Sequence, residues 1–218
     1  MVKKLALIGK DLLIFFGFWF ISILISVFFI YIKVTDYNLV NLIAYLICFT
    51  LLLLFYAKDF KAFLKDFKLN YKKYLPKYLL IGILSIILMN IMTTFIESFA
   101  GKLPENESAV RHTLSGSNII FIFLNIGIMT PLCEETIFRL NFRNLFKNKY
   151  IFSLFTGLLF GGAHLINSTS LIEAVYVIPY VFIGFMLSFI YSDSNNLINS
   201  IIIHMINNIG TLLLLFLV

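Results

Sequence analysis

Long runs of apolar residues alternate with short polar breaks along this chain of 218 residues. Each run is about twenty residues long, which is the length that an α-helix needs to cross the hydrocarbon core of a bilayer. The runs lack the alternating ten-residue pattern of membrane β-strands. The pattern predicts about seven transmembrane helices, at residues 12–32, 39–57, 77–97, 118–138, 151–170, 173–191 and 196–217.

Two segments between these helices allow more than one interpretation. Residues 164–177, HLINSTSLIEAVYV, form a weak polar break that fits either a connection between two spans or a re-entrant turn. Residues 58–77 carry seven lysines, with aromatic residues at helical spacing between them. That pattern fits an amphipathic helix on an anionic membrane surface, or an ordinary positively charged loop. The helix at 118–138 is expected to continue towards residue 146.

The amino-acid composition also indicates a helical membrane protein. Hydrophobic residues make up 61% of the chain and charged residues 13%, whereas soluble domains average about 45–50% and about 25%. This excludes a water-soluble domain and predicts an all-α, polytopic integral membrane helix bundle, because helices and closed barrels alone satisfy their backbone hydrogen bonds in lipid.

The net charge of +6 does not indicate a nucleic-acid partner, because the positive residues are clustered. Fourteen of the seventeen Lys and Arg fall in residues 3–10, 58–77 and 139–149, which the seven spans place on one face. We expect this face and the N-terminus to be cytoplasmic, in a plasma membrane. Frequent Lys, Asn, Ile, Phe and Tyr are typical of an AT-rich genome and favour a bacterial source.

Several ionisable and polar residues lie inside the predicted spans, where such residues are costly and usually functional. They are Glu134, Glu135 and Arg139 in the stretch TPLCEETIFRL, His164, His204 and Asn208. At about 1.5 Å per residue, Glu134, His164 and His204 lie roughly 14, 22 and 15 Å from the cytoplasmic ends of their helices. Side chains from three helices can therefore share one cavity near the middle of the bilayer.

Spacing within the fourth span assigns its acidic residues to different environments. Glu135 and Arg139 are four residues apart and are expected to form an ion pair. Glu134 points about 100° away from Glu135, so we assign Glu134 to the chemistry. Pro131 cannot donate to the carbonyl of Gly127, which predicts a kink beside the site.

The same four-residue spacing recurs in two later spans. His204 and Asn208 share one face of the last span, and Phe160 and His164 share one face of the fifth. The glycine pair at 161–162 predicts close approach of a neighbouring helix. A carboxylate in an apolar cavity can act as a general base, and an imidazole and an amide can donate hydrogen bonds to a developing negative charge.

Three motifs follow one another on these apolar segments: EETIFR at 134–139, FGGAH at 160–164 and HMINN at 204–208. Together they resemble the EExxxR, FxxxH and HxxxN motifs of the CPBP (CAAX protease and bacteriocin-processing, or Abi) family of intramembrane endopeptidases. The resemblance covers residues 117–210.

The resemblance implies a role for each matched residue. Glu134 and His164 would position and activate a water molecule, and His204 and Asn208 would hold the developing oxyanion. The supporting residues would be Glu135, Arg139 and Phe160.

A metal ion is a second possibility for the same cavity. Glu134, His164 and His204 could hold zinc, with water as the fourth ligand. The HExxH spacing is absent, and the resemblance carries both a metalloprotease description and a metal-free glutamate mechanism. We favour the metal-free mechanism, because Asn208 is better suited to an oxyanion than to a metal.

The motifs divide the chain into an N-terminal three-helix membrane region, 1–116, and a catalytic membrane core, 117–218. We expect the partners to be the lipid bilayer and a membrane-associated peptide or protein, reached from the cytoplasmic side. The resemblance suggests maturation of a bacteriocin or pheromone precursor, or self-immunity. Two other functions fit the same residues: a non-catalytic immunity or regulatory binding protein, and an ion-coupled transporter.

Overall fold

The structure, a computed structural model, describes residues 2–114, 118–166, 168 and 170–217. These residues form helices and no strand, which confirms the predicted all-α membrane bundle. The helices are α1 Val2–Tyr31, α2 Tyr37–Ala100, α3 Glu105–Leu114, α4 Ile119–Ile122, α5 Thr130–Glu134, α6 Lys149–His164, α7 Leu171–Ala174, α8 Val177–Ser194 and α9 Leu197–Leu217. The predicted boundary between 116 and 117 lies outside the described residues.

Five helices within the described residues are long and apolar enough to cross a membrane. They are Leu5–Tyr31, Tyr37–Ala100, Ile119–Leu145, Val177–Ser194 and Leu197–Phe216. Many of their large apolar side chains are exposed, as expected for side chains that face lipid. Of the seven predicted stretches, 39–57 and 77–97 both lie on α2. Residues 151–170 extend six residues beyond the end of α6, and residues 173–191 cover the end of α7 and most of α8.

Helix α2 is 64 residues long because the lysine-rich segment 58–77 is itself helical. The backbone leaves helical angles at Tyr56 (φ −115°, ψ 18°), so α2 bends there. One face of the lysine-rich segment is attached to the bundle: the Asn196 side chain donates to the carbonyl of Phe63 (2.9 Å) and to Asp66 (2.7 Å). The segment is therefore helical, and its predicted position on a cytoplasmic membrane surface stays a prediction.

The weak polar break at 164–177 is a connection containing one short helix. Helix α6 ends at His164, six residues before the predicted end, and α8 begins at Val177. The sequence after α6 is polar, Asn-Ser-Thr-Ser at 167–170, and these residue types disfavour helix because their side chains can bond the backbone in other conformations. Residues 167 and 169 lie outside the described residues.

Three glycines allow α6 and α8 to pack closely. A Cβ on Gly157 would lie 2.8 Å from the backbone nitrogen of Phe185, and one on Gly161 would lie 2.9 Å from that of Val181. Gly184, on α8, faces the side chain of Phe160 at 3.0 Å. The predicted close approach is therefore made by Gly157 and Gly161. A Cβ on Gly162 would meet nothing within 4 Å.

We expect Gly157→Ala and Gly161→Ala to lower the unfolding free energy by about 1–3 kcal/mol each, because the new methyl group has to push backbone atoms of α8 aside. Gly162→Ala is the matched control and should be neutral or stabilising by up to about 1 kcal/mol, because Ala favours helix more than Gly. Thermal unfolding in detergent measures all three. Equal effects of the three substitutions would contradict the assigned interface.

An ion-pair cluster joins α2, α6 and α8 at one end of the bundle. Asp193 pairs with Lys77 (2.7 Å) and with Lys149 (2.7 Å), and the hydroxyl of Tyr78 donates to the same carboxylate (3.1 Å). We call this end, with residues 58–77 and 139–149, the basic end. It provides a reference for the position of the candidate site.

Candidate active site

The helix Ile119–Leu145 carries the first candidate residues and is irregular. Residues Phe123–Met129 and Glu135–Leu140 are π-helical, on either side of α5. The first π-helical segment ends with the Thr130 N–H bonded to the carbonyl of Asn125, five residues back. Such wide turns are frequent at functional sites, because they change the direction in which side chains point.

This π register changes which carbonyl Pro131 leaves without a donor. In an α-helix it would be the carbonyl of Gly127, as expected from the sequence, but a five-residue step makes it that of Ile126. The side chain of Asn208, on α9, supplies the missing donor: its Nδ2 donates to the Ile126 carbonyl at 2.9 Å. Asn208 therefore links α9 to the candidate site and keeps one further N–H on the same nitrogen.

The predicted ion pair between Glu135 and Arg139 is present and fully buried. Nη1 of Arg139 lies 3.1 Å from Oε1 of Glu135. The guanidinium also donates to the hydroxyl of Ser188 (3.2 Å) and the carbonyl of Gly184 (3.3 Å), and it lies over the ring of Phe160 at 4.5 Å. The pair therefore connects the helix Ile119–Leu145 to α6 and α8.

His204 lies between the two adjacent carboxylates. Its Nδ1 donates to Oε1 of Glu135 at 2.8 Å, and its Nε2 lies 3.7 Å from Oε2 of Glu134. Because Glu135 also pairs with Arg139, we treat Glu135 as a carboxylate, which places the proton of His204 on Nδ1. Nε2 is then the nitrogen that faces Glu134.

His164 also carries its proton on Nδ1, but the acceptor is a backbone carbonyl instead of a carboxylate. Its Nδ1 donates to the carbonyl of Phe160 (2.9 Å), four residues earlier in α6. The imidazole also stacks on the ring of Tyr180, with centroids 4.6 Å apart. Phe160 contacts both His164 and His204, at centroid distances of 4.4 and 5.8 Å. This one buried phenyl ring orients both imidazoles and leaves both Nε2 atoms available.

One cavity of about 350 Å³ brings the four predicted catalytic residues together: Glu134, His164, His204 and Asn208 all line it. Residues of α2 that the sequence analysis did not single out line it too, among them Asn38, Asn41 and Tyr45. The three residues are three and four positions apart, which places three polar side chains on one face of an apolar helix. This pattern could have identified them from the sequence.

The cavity lies in the half of the bundle away from the basic end. Its wall includes the first residues of α2, the last residues of α6 and the second half of α9, together with Pro104 and Ala109 from the segment between α2 and α4. If the basic end faces the cytoplasm, the residues that line the cavity belong to the half of the bundle nearer the other side of the membrane. The expected cytoplasmic access stays a prediction.

The side chains that line the cavity are not arranged as a metal site in this structure. The two Nε2 atoms and the Glu134 carboxylate are donors of a type that zinc accepts. Nevertheless, no three His, Cys, Asp or Glu side chains in the described part of the chain are close enough together to hold a metal ion. Cys133, beside Glu134, is buried and donates to the carbonyl of Tyr45 at 3.6 Å.

Comparison with known proteins matches the region that contains this site. Residues 116–210 match the model of the family described as type II CAAX prenyl endopeptidase Rce1-like. The UPF0177 protein YxdF of Lactococcus lactis subsp. lactis (strain IL1403) is 34% identical over 79 residues, which are 36% of this chain. The match spans 41% of that relative's length. No solved structure matches the chain.

Proposed function

We propose that residues 116–210 form a membrane peptidase core of the CPBP type, because they match the family described as type II CAAX prenyl endopeptidase Rce1-like, and that the protein hydrolyses peptide bonds within the membrane. One observation carries the proposal. A carboxylate, two imidazoles and an amide from three helices line one cavity inside a multi-pass membrane bundle. This is the set of groups that water-mediated peptide hydrolysis requires.

In the proposed reaction, Glu134 takes a proton from a water molecule, and the resulting hydroxide attacks the carbonyl carbon of the scissile bond. Negative charge then develops on the carbonyl oxygen, where His204 Nε2 and the second N–H of Asn208 donate hydrogen bonds. The tetrahedral intermediate collapses, the C–N bond breaks and the leaving nitrogen takes the proton held by Glu134. His164 Nε2 accepts a hydrogen bond from the water and orients its lone pair towards the substrate.

For this role His204 has to gain a second proton, on Nε2, in addition to the Nδ1 proton assigned above. Its Nδ1–H is already committed to Glu135, so Nε2 donates only when it carries a second proton. Glu134 and Glu135 flank the ring on either side, and Arg139 supports Glu135. Glu135, Arg139 and Phe160 are therefore positioning residues, because they hold His204 and His164 in place.

The substrate proposed here is a membrane-associated peptide or protein, such as a bacteriocin or pheromone precursor, in the plasma membrane of a bacterium. Residues 117–218 would form the catalytic core. The region 1–116 would contribute to substrate binding, since the first half of α2 lines the cavity.

Purified protein in lipid nanodiscs tests the proposal. It would be incubated with a panel of bacterial precursor peptides and with a farnesylated CAAX peptide, with and without chelator, and products would be identified by mass spectrometry. We expect cleavage of at least one peptide at a defined bond, with no effect of chelator. If nothing in the panel is cleaved but a peptide binds, a non-catalytic immunity or regulatory role replaces the enzyme, and ion flux in proteoliposomes would indicate a transporter.

The substitution His164→Ala tests whether His164 acts in the reaction or only stabilises the fold. We expect cleavage to slow by about 10²–10⁴-fold, the usual effect of losing a group that handles a proton. The melting temperature should fall modestly, because the variant loses the stacking of the ring on Tyr180, whereas the Nδ1–H bonds a carbonyl of its own helix. Asn90→Ala is the control: Asn90 lines the same cavity and donates to its own helix, at the Ile86 carbonyl. Equal rates for the two variants would remove His164 from the mechanism.

A further inference from the structure

Two buried asparagines in the cavity wall have hydrogen-bonding groups without partners. Nδ2 of Asn125 donates to Oδ1 of Asn38 at 3.3 Å, which joins the helix Ile119–Leu145 to α2. Nδ2 of Asn38 and Oδ1 of Asn125 have no hydrogen-bond partner within the described residues. The two residues are only 1% and 4% exposed. Buried polar atoms are nearly always bonded, so two adjacent unpaired atoms in residues that line a cavity mark a place where a polar group can bind.

The pattern does not depend on which way the amides are turned. An amide's nitrogen and oxygen occupy nearly the same positions and can be exchanged. Exchanging them in both Asn38 and Asn125 keeps one amide–amide bond and again leaves one donor and one acceptor open. One free donor beside one free acceptor is the complement of a peptide group, which presents one carbonyl and one N–H.

We propose that Asn38 and Asn125 form a subsite that binds the main chain of the substrate. The substrate carbonyl accepts from the open amide N–H, and the substrate N–H donates to the open amide oxygen. Both atoms are closed to water in this structure, so the amides rotate slightly when a peptide enters. The subsite would select an unfolded, extended segment by its backbone and tolerate varied side chains. The inference rests on the proposed peptidase function and specifies how the substrate is held.

The position of the pair predicts where along the substrate it acts. Asn125 lies nine residues before Glu134 on the same helix. Nine residues of helix rise by about 13 Å, and an extended peptide covers that distance in about four residues at ~3.3 Å each. The subsite therefore contacts the backbone about four residues from the scissile bond. Asn41 and Tyr45, on the same face of α2, line the path between.

A purely structural role makes a different prediction. If the pair only joined two helices, its removal would lower stability and slow the cleavage of long and short substrates equally. A subsite instead gives a loss that depends on substrate length. Replacing both asparagines by leucine keeps the volume and leaves no single unpaired amide, so the double variant N38L/N125L is the informative one.

The test uses a cleaved peptide from the panel, shortened one residue at a time from each end, with the wild type and N38L/N125L in nanodiscs. For peptides that extend about four residues or more beyond the cleavage site on one side, we expect kcat/KM to fall roughly 30-fold in the variant, the effect of two lost hydrogen bonds. Shorter peptides should be cleaved equally by both proteins. Asn70→Ala, whose side chain bonds Asp66 in its own helix and does not line the cavity, should match the wild type at every length. A loss that is the same at all lengths would overturn the subsite.

A second measurement needs only the wild-type protein. In the same peptide, each backbone amide is replaced in turn by an ester, which removes one N–H donor and leaves the side chains unchanged. We expect a roughly fivefold loss of kcat/KM at one position, about four residues from the cleaved bond. An equal change of kcat/KM at every substituted position would reject the subsite but would not contradict the proposed peptidase function. A wild-type protein that cleaves no peptide would reject both proposals.

Discussion

Replacing Glu134 by Gln is expected to reduce peptide cleavage by about 10²–10⁴-fold, because the proposed base can no longer take a proton from water. The amide keeps the shape of the side chain, so the hydrogen-bonded frame of Glu135, Arg139 and His204 should remain. The expected change is a fall in kcat with little change in KM, since the lost proton transfer occurs only in the transition state. Single-turnover cleavage of a panel peptide measures it.

Glu107→Gln is the matched control for that substitution. Glu107 lines the same cavity and pairs with Arg111 at 2.8 Å, one helical turn away. Because this pair is exposed, the substitution should change neither cleavage nor stability measurably. An E134Q protein that cleaves at the wild-type rate would show that Glu134 is not the base, and the proposed mechanism would be wrong.

Replacing Arg139 by Met should produce the largest loss of stability, about 3–5 kcal/mol of unfolding free energy. Neither Glu135 nor Arg139 is exposed to solvent at all. Without the guanidinium, Glu135 keeps a buried negative charge with His204 as its hydrogen-bonded partner, and the links to Ser188 and Gly184 are lost. Thermal or denaturant unfolding in detergent measures the effect.

Two further variants separate the buried charge from the lost volume. Arg143→Met removes a half-buried arginine on the same segment, whose side chain donates to the Phe146 carbonyl (2.9 Å), and should cost far less. The double variant E135L/R139M removes both charges and should recover much of the stability of Arg139→Met, because a buried pair replaced by apolar groups is often close to neutral. A double variant no more stable than Arg139→Met would show that packing dominates.

The helical parts of the fold could be predicted from sequence because lipid leaves few options. Residues 12–32 and 196–217 lie on α1 and α9 almost end to end, since their apolar runs are continuous. The ends of α6 and the continuity of α2 were harder to predict. The lysine-rich segment 58–77 lacks glycine, and its one proline, Pro76, lies near its end, so no local break separates the second and third apolar stretches.

The residue types of the candidate site could be predicted from the sequence. Polar side chains are expensive in lipid, so Glu134, His164, His204 and Asn208 stood out against an apolar background. Their common cavity follows the prediction. The contributions of Asn38 and Asn125 did not stand out, because an isolated asparagine in a span is usually a helix–helix contact. That contact is present, and the open donor and acceptor beside it depend on how two distant helices meet.

The order and length of the apolar runs are enough to predict a membrane-spanning helical chain. In lipid each apolar segment must pair its own backbone groups, and an α-helix does so with local hydrogen bonds alone. The same holds for the ion pair four residues apart in one helix. The position of the cavity, the placement of His204 between Glu134 and Glu135 and the π register that gives Asn208 its partner depend on packing between helices. Packing adds contacts between residues far apart in sequence, such as His204 and Glu135, and no local pattern encodes their distance.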